Sequence, residues 1–299
     1  MKTIDDIQNI LVIGAGTLGL RIALRCAYDG YRVKMFDISE AQIDKALAMQ
    51  AGLGSRLLKK GLIDPEMLER AKTNLTTTTD LDEAIENIDL ISESIYEDID
   101  LKRKFYAELT PRLDDGVIVT TNTSFLLPSN MLESVQAPEN FCALHFHDVF
   151  NQIVVDIMPH PETYTEVVEL LMAFGKRINQ IPVYIGKENP GYIFNSILGG
   201  ILTQAGHLLI KGVGSIQDID RSFMGNFNTL AGPFGMIDQV GLDTALRVIK
   251  AKGDDHDAPF IDLLNSYIER GELGYKSGSG FYNYPRPEYS SKEFLRGES

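Results

Sequence analysis

The sequence predicts an α/β fold, a doubly wound sheet followed by an all-α C-terminal domain, and three observations carry that expectation. An apolar run, Ile10-Leu-Val-Ile13, turns directly into Gly14-Ala-Gly16-Thr17-Leu18-Gly19 and then into an amphipathic helix reaching about Tyr28. Up to about Ile185, short apolar runs alternate with amphipathic helical stretches, the pattern of a parallel sheet wrapped by helices. After the turn-rich tract Lys187-Glu-Asn-Pro-Gly191, long helical patterns follow, which sets the expected domains at 1–187 and 188–299.

Each glycine of the first loop has a mechanical reason. Gly14 permits a tight strand-to-helix turn, Gly16 lets the backbone approach a pyrophosphate, and Gly19 lets the helix lie close on the sheet. The helix N-terminus then offers N–H groups and partial positive charge to phosphates. Thr17 and Leu18, between the last two glycines, join them as expected contacts. Tyr31-Arg-Val-Lys-Met-Phe-Asp37 reads as a second strand ending in an acid, about 20 residues past the glycines, where a carboxylate accepts the adenine-ribose hydroxyls. A Rossmann-type dinucleotide site is the reading, with NAD as the cofactor because an acid repels a 2′-phosphate and Ile38 and Ser39 supply no cation.

Further strands are expected at Leu75–Thr78, Leu90–Glu93, Val117–Thr120 and Phe141–His145, with Val154–Met158 and Pro182–Ile185 added at the sheet edge. Between Asp37 and Leu75 lies more helical sequence than one crossover needs. Residues Glu40 to about Lys60 and Pro65–Lys72 are expected to form a projecting pair. The second domain should hold helices over Tyr192–Lys211, Ile216–Phe223, Pro233–Lys252 and Pro259–Arg270.

Composition narrows the function. Apolar residues make up 44% of the 299, as in an ordinary globular protein, and a net charge of −14 with no basic block argues against nucleic acid. No apolar run approaches a membrane span, and charged residues at the N-terminus leave no signal segment, so a cytoplasmic protein is expected. Cys26 and Cys142 lie in apolar segments and read as buried thiols.

Seven segments, in order, resemble the L-3-hydroxyacyl-CoA dehydrogenase family. They are Gly14–Gly19, Ser92-Glu-Ser-Ile-Tyr-Glu97 with Asp100-Leu-Lys102, Thr121-Asn-Thr-Ser124, Leu144-His-Phe146, Asn189-Pro-Gly-Tyr-Ile-Phe-Asn195, Gly232–Asp243 and Gly278-Ser-Gly-Phe-Tyr282. The resemblance implies a Rossmann domain followed by a helical domain that dimerises. It also implies His145 as the acid–base toward the substrate oxygen, suited by an imidazole pKa near working pH. Ser124 and Asn195 then meet that oxygen, and Asn122, Glu97 and Lys102 contact the cofactor, although Glu97 could instead cap a helix beginning near Asp98. The family orients its histidine with a glutamate on the next strand. Here Asp156 takes that place once one residue is deleted from the turn, and an anionic neighbour is expected to raise the histidine's pKa. Asp148 is the rival.

The turn departs from the family, whose His-Phe-Phe-Asn-Pro becomes His145-Phe-His147-Asp148-Val-Phe. Taken alone, His145, His147, Asp148, Asp156 and His160 suggest a metal site, but hydride transfer to a nicotinamide needs no metal and none is expected. The family grips CoA with the projecting pair. Here that pair carries Ser55, Arg56, Lys59 and Lys60, a modest basic cluster in which Ser55 and Lys59 are the expected substrate contacts and a solvated face is the alternative. The leading function is NAD-dependent oxidation of a short L-3-hydroxyacyl-CoA by a homodimer. A free small hydroxy or dicarbonyl acid, as in diketoreductase-type relatives, is the alternative substrate. A non-catalytic dinucleotide-binding or crystallin-like protein is the alternative class. Keeping Ser124, His145, Asp156 and Asn195 together argues against that last reading, because binding alone needs no base beside an acid.

Overall fold

The computed structural model describes residues 2–252 and 255–297; residues 1, 253–254 and 298–299, which fall in the expected domains, lie outside the described residues. The chain divides into two compact units, Met1–Ile193 and Phe194–Ser299.

In the first unit, β1 (Asn9–Ile13), β2 (Arg32–Phe36), β3 (Leu75–Thr78), β4 (Leu90–Glu93), β5 (Ile118–Thr121) and β6 (Phe141–Phe146) run parallel, followed by β7 (Val154–Met158) and β8 (Ile181–Tyr184). Their order in the sheet is β3-β2-β1-β4-β5-β6-β7-β8. Strand β7 runs antiparallel to β6 and parallel to β8. The order reverses direction between β1 and β4, which is the switch point where open α/β sheets receive ligands at their carboxyl ends. Ile10 to Ile13 are fully buried because helices cover both faces, which explains the unbroken apolar run.

The helices of this unit are α1 (Thr17–Tyr28), α2 (Glu40–Lys59), α3 (Pro65–Asn74), α4 (Leu81–Ile85), α5 (Ile99–Leu109) and α6 (Thr165–Arg177). Local capping fixes several starts: Ser39 accepts from Gln42 N–H, Asp64 from Met67 N–H with Pro65 in the first turn, and Asp98 from Leu101 N–H. The pair α2–α3 buries Ile43, Ala46, Leu53, Leu57 and Ala71 in the core shared with α1 and β1. Its outer face exposes Ser55, Arg56, Lys59 and Lys60.

The second unit holds α7 (Phe194–Ile210), α8 (Ile216–Phe227), α9 (Pro233–Val240), α10 (Leu242–Lys252) and α11 (Ala258–Glu269) around a core that includes Phe234, Ile237, Phe260, Leu264 and Phe281. One helix was expected over Pro233–Lys252; the structure breaks it at Gly241, whose φ of 98° no helix accommodates. Two buried aspartates bind this unit together. Asp220 accepts the Phe234 and Gly235 N–H groups at the start of α9, and Asp238 accepts those of Phe281 and Tyr282.

Candidate active site

The glycine loop is shaped by two contacts that exclude any side chain. A Cβ at Gly14, whose φ is 99°, would lie 2.6 Å from the Ser94 carbonyl oxygen, and one at Gly19 would lie 1.9 Å from that of Gly14. Gly16 differs. It begins α1 without a side-chain cap, and a Cβ there would meet nothing within 4 Å. Its bareness therefore serves no packing need of the chain and leaves room for a phosphate beside the N–H groups of the first helical turn. Thr17 is exposed and Leu18 half-buried in that turn. Asp37 accepts the Ala15 N–H on one oxygen (2.9 Å) and the Ser39 N–H on the other (3.0 Å), which sets its carboxylate beside the loop. Each oxygen keeps a lone pair for a ribose hydroxyl. Ile38 beside it is 87% exposed, while the nearby cations are occupied: Arg32 bonds Asn9 and Lys34 bonds the Glu83 and Glu86 carbonyls. These residues fit a dinucleotide without a 2′-phosphate.

At the carboxyl end of β6 the antiparallel register sets His145 directly opposite Asp156 on β7. Both are almost completely buried, and His145 Nδ1 lies 3.1 Å from Asp156 Oδ2. The same oxygen lies 2.9 Å from His147 Nε2. A carboxylate only accepts, so His145 carries its proton on Nδ1 and His147 carries its own on Nε2. His145 Nε2 is thereby a lone-pair nitrogen, and it lies 3.3 Å from Ser124 Oγ. Burial, the largest influence, pushes the His145 pKa down; Asp156 pushes it up and His147 down, and the net direction is downward. The expected upward shift is corrected here, because water is excluded from the ring more effectively than one shared carboxylate compensates. Burial also pushes the Asp156 carboxyl up, but the hydrogen bonds from His145 and His147 outweigh it and hold Asp156 below the usual carboxylate range.

Neighbouring residues hold this line in place. Glu97 accepts the Ser124 N–H (2.9 Å), the Phe125 N–H (3.0 Å) and the Thr123 hydroxyl, while Asp98 caps α5. Asn122 accepts the Phe146 N–H and donates to Ser94, joining the ends of β4, β5 and β6. Lys102 has no exposed surface. Its ammonium sits on Glu93 (2.7 and 2.8 Å), whose carboxylate also accepts from Tyr106, Thr121 and the Ile95 N–H. Its reach toward the site runs through Glu97, 3.8 Å away. Tyr192, which sequence reasoning missed, stacks on the His145 ring (4.6 Å, 12°) and donates to the Thr123 carbonyl. Only the Pro-Gly-Tyr turn, with Tyr192 at φ 53°, hinted at a fixed aromatic there. Asp148 pairs with Arg21 and accepts from Phe150 and Asn151, away from His145.

Asn195 is half-buried near the start of α7, in the second unit. Ser55 and Lys59 are exposed on α2, with the Ser55 hydroxyl donating to the Ala51 carbonyl.

Comparison with known proteins now decides the relationship. Residues 9–189 match the NAD binding domain of 3-hydroxyacyl-CoA dehydrogenase, and residues 191–284 match its C-terminal domain. The chain belongs to the 3-hydroxyacyl-CoA dehydrogenase family. It is thus an oxidoreductase of a family that uses NAD. A probable 3-hydroxyacyl-CoA dehydrogenase of Caenorhabditis elegans is 30% identical over 94% of both chains. The mitochondrial hydroxyacyl-coenzyme A dehydrogenase of Rattus norvegicus is 30% identical over 93% of this chain and 91% of its own. Among solved structures, a diketoreductase matches with a TM-score of 0.86 and 32% identity, covering 95% of this chain and 100% of its own. The (S)-3-hydroxybutyryl-CoA dehydrogenase of Ralstonia eutropha matches with 0.86 and 28%, covering 94% and 100%.

Proposed function

We propose that this family member catalyses the reversible oxidation of a short L-3-hydroxyacyl-CoA to the 3-ketoacyl-CoA. NAD, when bound, supplies the hydride acceptor. The observation that supports the reading is the hydrogen-bonded line Ser124–His145–Asp156 at the carboxyl edge of β6, in the unit that carries the glycine loop. In oxidation His145 Nε2 takes the hydroxyl proton, so that no full positive charge builds on the forming carbonyl. In reduction the same nitrogen returns it. Ser124 holds the substrate oxygen, and its own backbone is fixed by Glu97. Asp156 is the positioning residue that keeps the His145 proton on Nδ1. Asn195 is assigned as a second donor to the substrate oxygen, and Ser55 and Lys59 as contacts to a CoA phosphate. Asn122, Glu97 and Lys102 shape the cofactor side.

NADH-linked turnover of acetoacetyl-CoA against free acetoacetate tests this assignment, and the CoA ester is expected to be the better substrate. The second reading, a free small hydroxy or dicarbonyl acid, draws support from the altered turn His145-Phe-His147-Asp148 and from the diketoreductase relative. Faster turnover of free acetoacetate would decide for it, and NADH binding with no turnover of either would decide for a non-catalytic protein. We assign the chain to a cytoplasmic homodimer acting in fatty acid metabolism. A groove of about 960 Å³ between α7 and α8, lined by Ile197, Val213 and Phe227, is the proposed dimer face. Light scattering near the 33.3 kDa monomer mass would exclude it.

A further inference from the structure

We infer that His145 Nδ1, His147 Nε2 and Asp156 Oδ2 form a site for a divalent transition-metal ion of the zinc class, and that filling it stops proton transfer. The three ligand atoms lie within 4.8 Å of one another, the one such trio among the described residues. Two edges of the triangle measure 3.1 and 2.9 Å. Around an ion held at the usual 2.0–2.2 Å, tetrahedral ligands stand about 3.4 Å apart, so these two edges need to open by a few tenths of an ångström while the nitrogen–nitrogen edge, within 4.8 Å, settles at the same spacing. Two imidazoles and one carboxylate suit zinc, and three protein ligands leave its fourth position to water. Mg²⁺ and Ca²⁺, which take oxygen ligands, find a single carboxylate in this trio.

His147 makes the difference. A histidine–aspartate pair alone orients a base, while the second imidazole on the same oxygen completes a chelate. The consequence for catalysis follows from the tautomer. Neutral His145 now holds its proton on Nδ1. An ion on His145 Nδ1 and His147 Nε2 needs both lone pairs, so each neutral ring passes its proton through solvent to its other nitrogen and no net proton is released. His145 Nε2–H then faces Ser124 and accepts nothing. This inhibition, though not the binding, rests on the proposed role of His145.

The test uses the full chain after chelator treatment. Co²⁺, read by its visible absorption, reports occupancy; Zn²⁺ is then titrated into the NADH-linked assay. The wild type should bind one ion per chain and lose turnover in step with occupancy, with recovery on adding EDTA and no effect of Mg²⁺. His147→Phe and Asp156→Asn should bind none, and the turnover that His147→Phe retains should not respond to Zn²⁺. His207→Ala should bind as the wild type does, since His207, 2.9 Å from Asp257, is not one of the three ligands. NADH affinity reports folding of each variant, and His147→Gln replaces His147→Phe if that variant does not fold. No ion on the wild type, or unchanged binding by the His147 variant, overturns the site. His147-dependent binding that leaves turnover intact upholds the site and overturns His145 as the proton acceptor.

Discussion

Replacing Asp156 with asparagine isolates what the carboxylate does for His145. The amide keeps the size of the side chain and one acceptor oxygen, but it removes a full charge whose Oδ2 lies 3.1 Å from His145 Nδ1. Both side chains are almost fully excluded from water. At a separation of about 4 Å between charge centres and an effective dielectric near 20, that charge stabilises an imidazolium by about 4 kcal/mol. At 1.36 kcal/mol per factor of ten, kcat should fall by roughly 10²–10³ once neighbouring dipoles relax. The direction of the pH effect is fixed as well. Burial already holds the His145 pKa below its ordinary value, and Asp156 is the main group opposing that. Without the charge the pKa drops further. The acidic limb of the oxidation profile, where the base must be unprotonated, therefore moves to lower pH. Asp156→Glu should be much milder, and Asp148→Asn should leave the limb in place, because Asp148 is held by Arg21 and its own turn. Steady-state profiles of kcat/KM against pH provide the assay. An unmoved limb in Asp156→Asn with a moved one in Asp148→Asn would refute the pairing.

Three other outcomes follow from the same geometry. The ratio of kcat/KM for NADH over NADPH should exceed one by a wide margin, since the Asp37 carboxylate, beside the glycine loop, would repel a 2′-phosphate and Arg32 and Lys34 are tied elsewhere; parity would overturn the role of Asp37. Lys102→Met should cost about 3–5 kcal/mol in denaturant unfolding, because Glu93 would be left as a buried charge without its cation; a loss under 1 kcal/mol would refute that. Burial, the largest influence on Asp220, holds its pKa at about 6 in the folded chain against 3.8 for an aspartate free in water. A raised folded pKa contributes stability that is fully present below the unfolded value and lost as pH rises through about 6. Asp220→Asn should accordingly flatten the stability profile between those pH values, and an unchanged slope in thermal melts would contradict it.

Much of the first unit could be read locally. Leu75–Thr78, Leu90–Glu93 and Val154–Met158 coincide with their expected spans, because short apolar or β-branched runs bounded by turn residues carry that information within a few residues. The φ of 99° at Gly14 is likewise what a tight turn at that place in the loop implied. Information that depends on tertiary placement was harder to read. Nothing local says that His147 shares the Asp156 oxygen, since the second histidine follows the end of β6 and the aspartate lies on another strand. The full burial of Lys102 comes from a partner, Glu93, nine residues earlier on β4. The break at Gly241 was masked by apolar periodicity running through it. The net direction of the His145 pKa turned on the depth of burial, which an adjacent acid in the sequence does not reveal.

His145→Ala tests the central assignment most directly, with NADH-linked turnover of acetoacetyl-CoA and NADH affinity measured on the same preparation. A positioned acid–base group contributes about 10²–10⁴ in rate, so turnover should fall by that factor. NADH affinity should hold, because the loop at Gly14–Gly19, and not β6, is where the cofactor's phosphates are expected to rest. Turnover within a few-fold of wild type, with NADH affinity intact, would show that another group moves the proton.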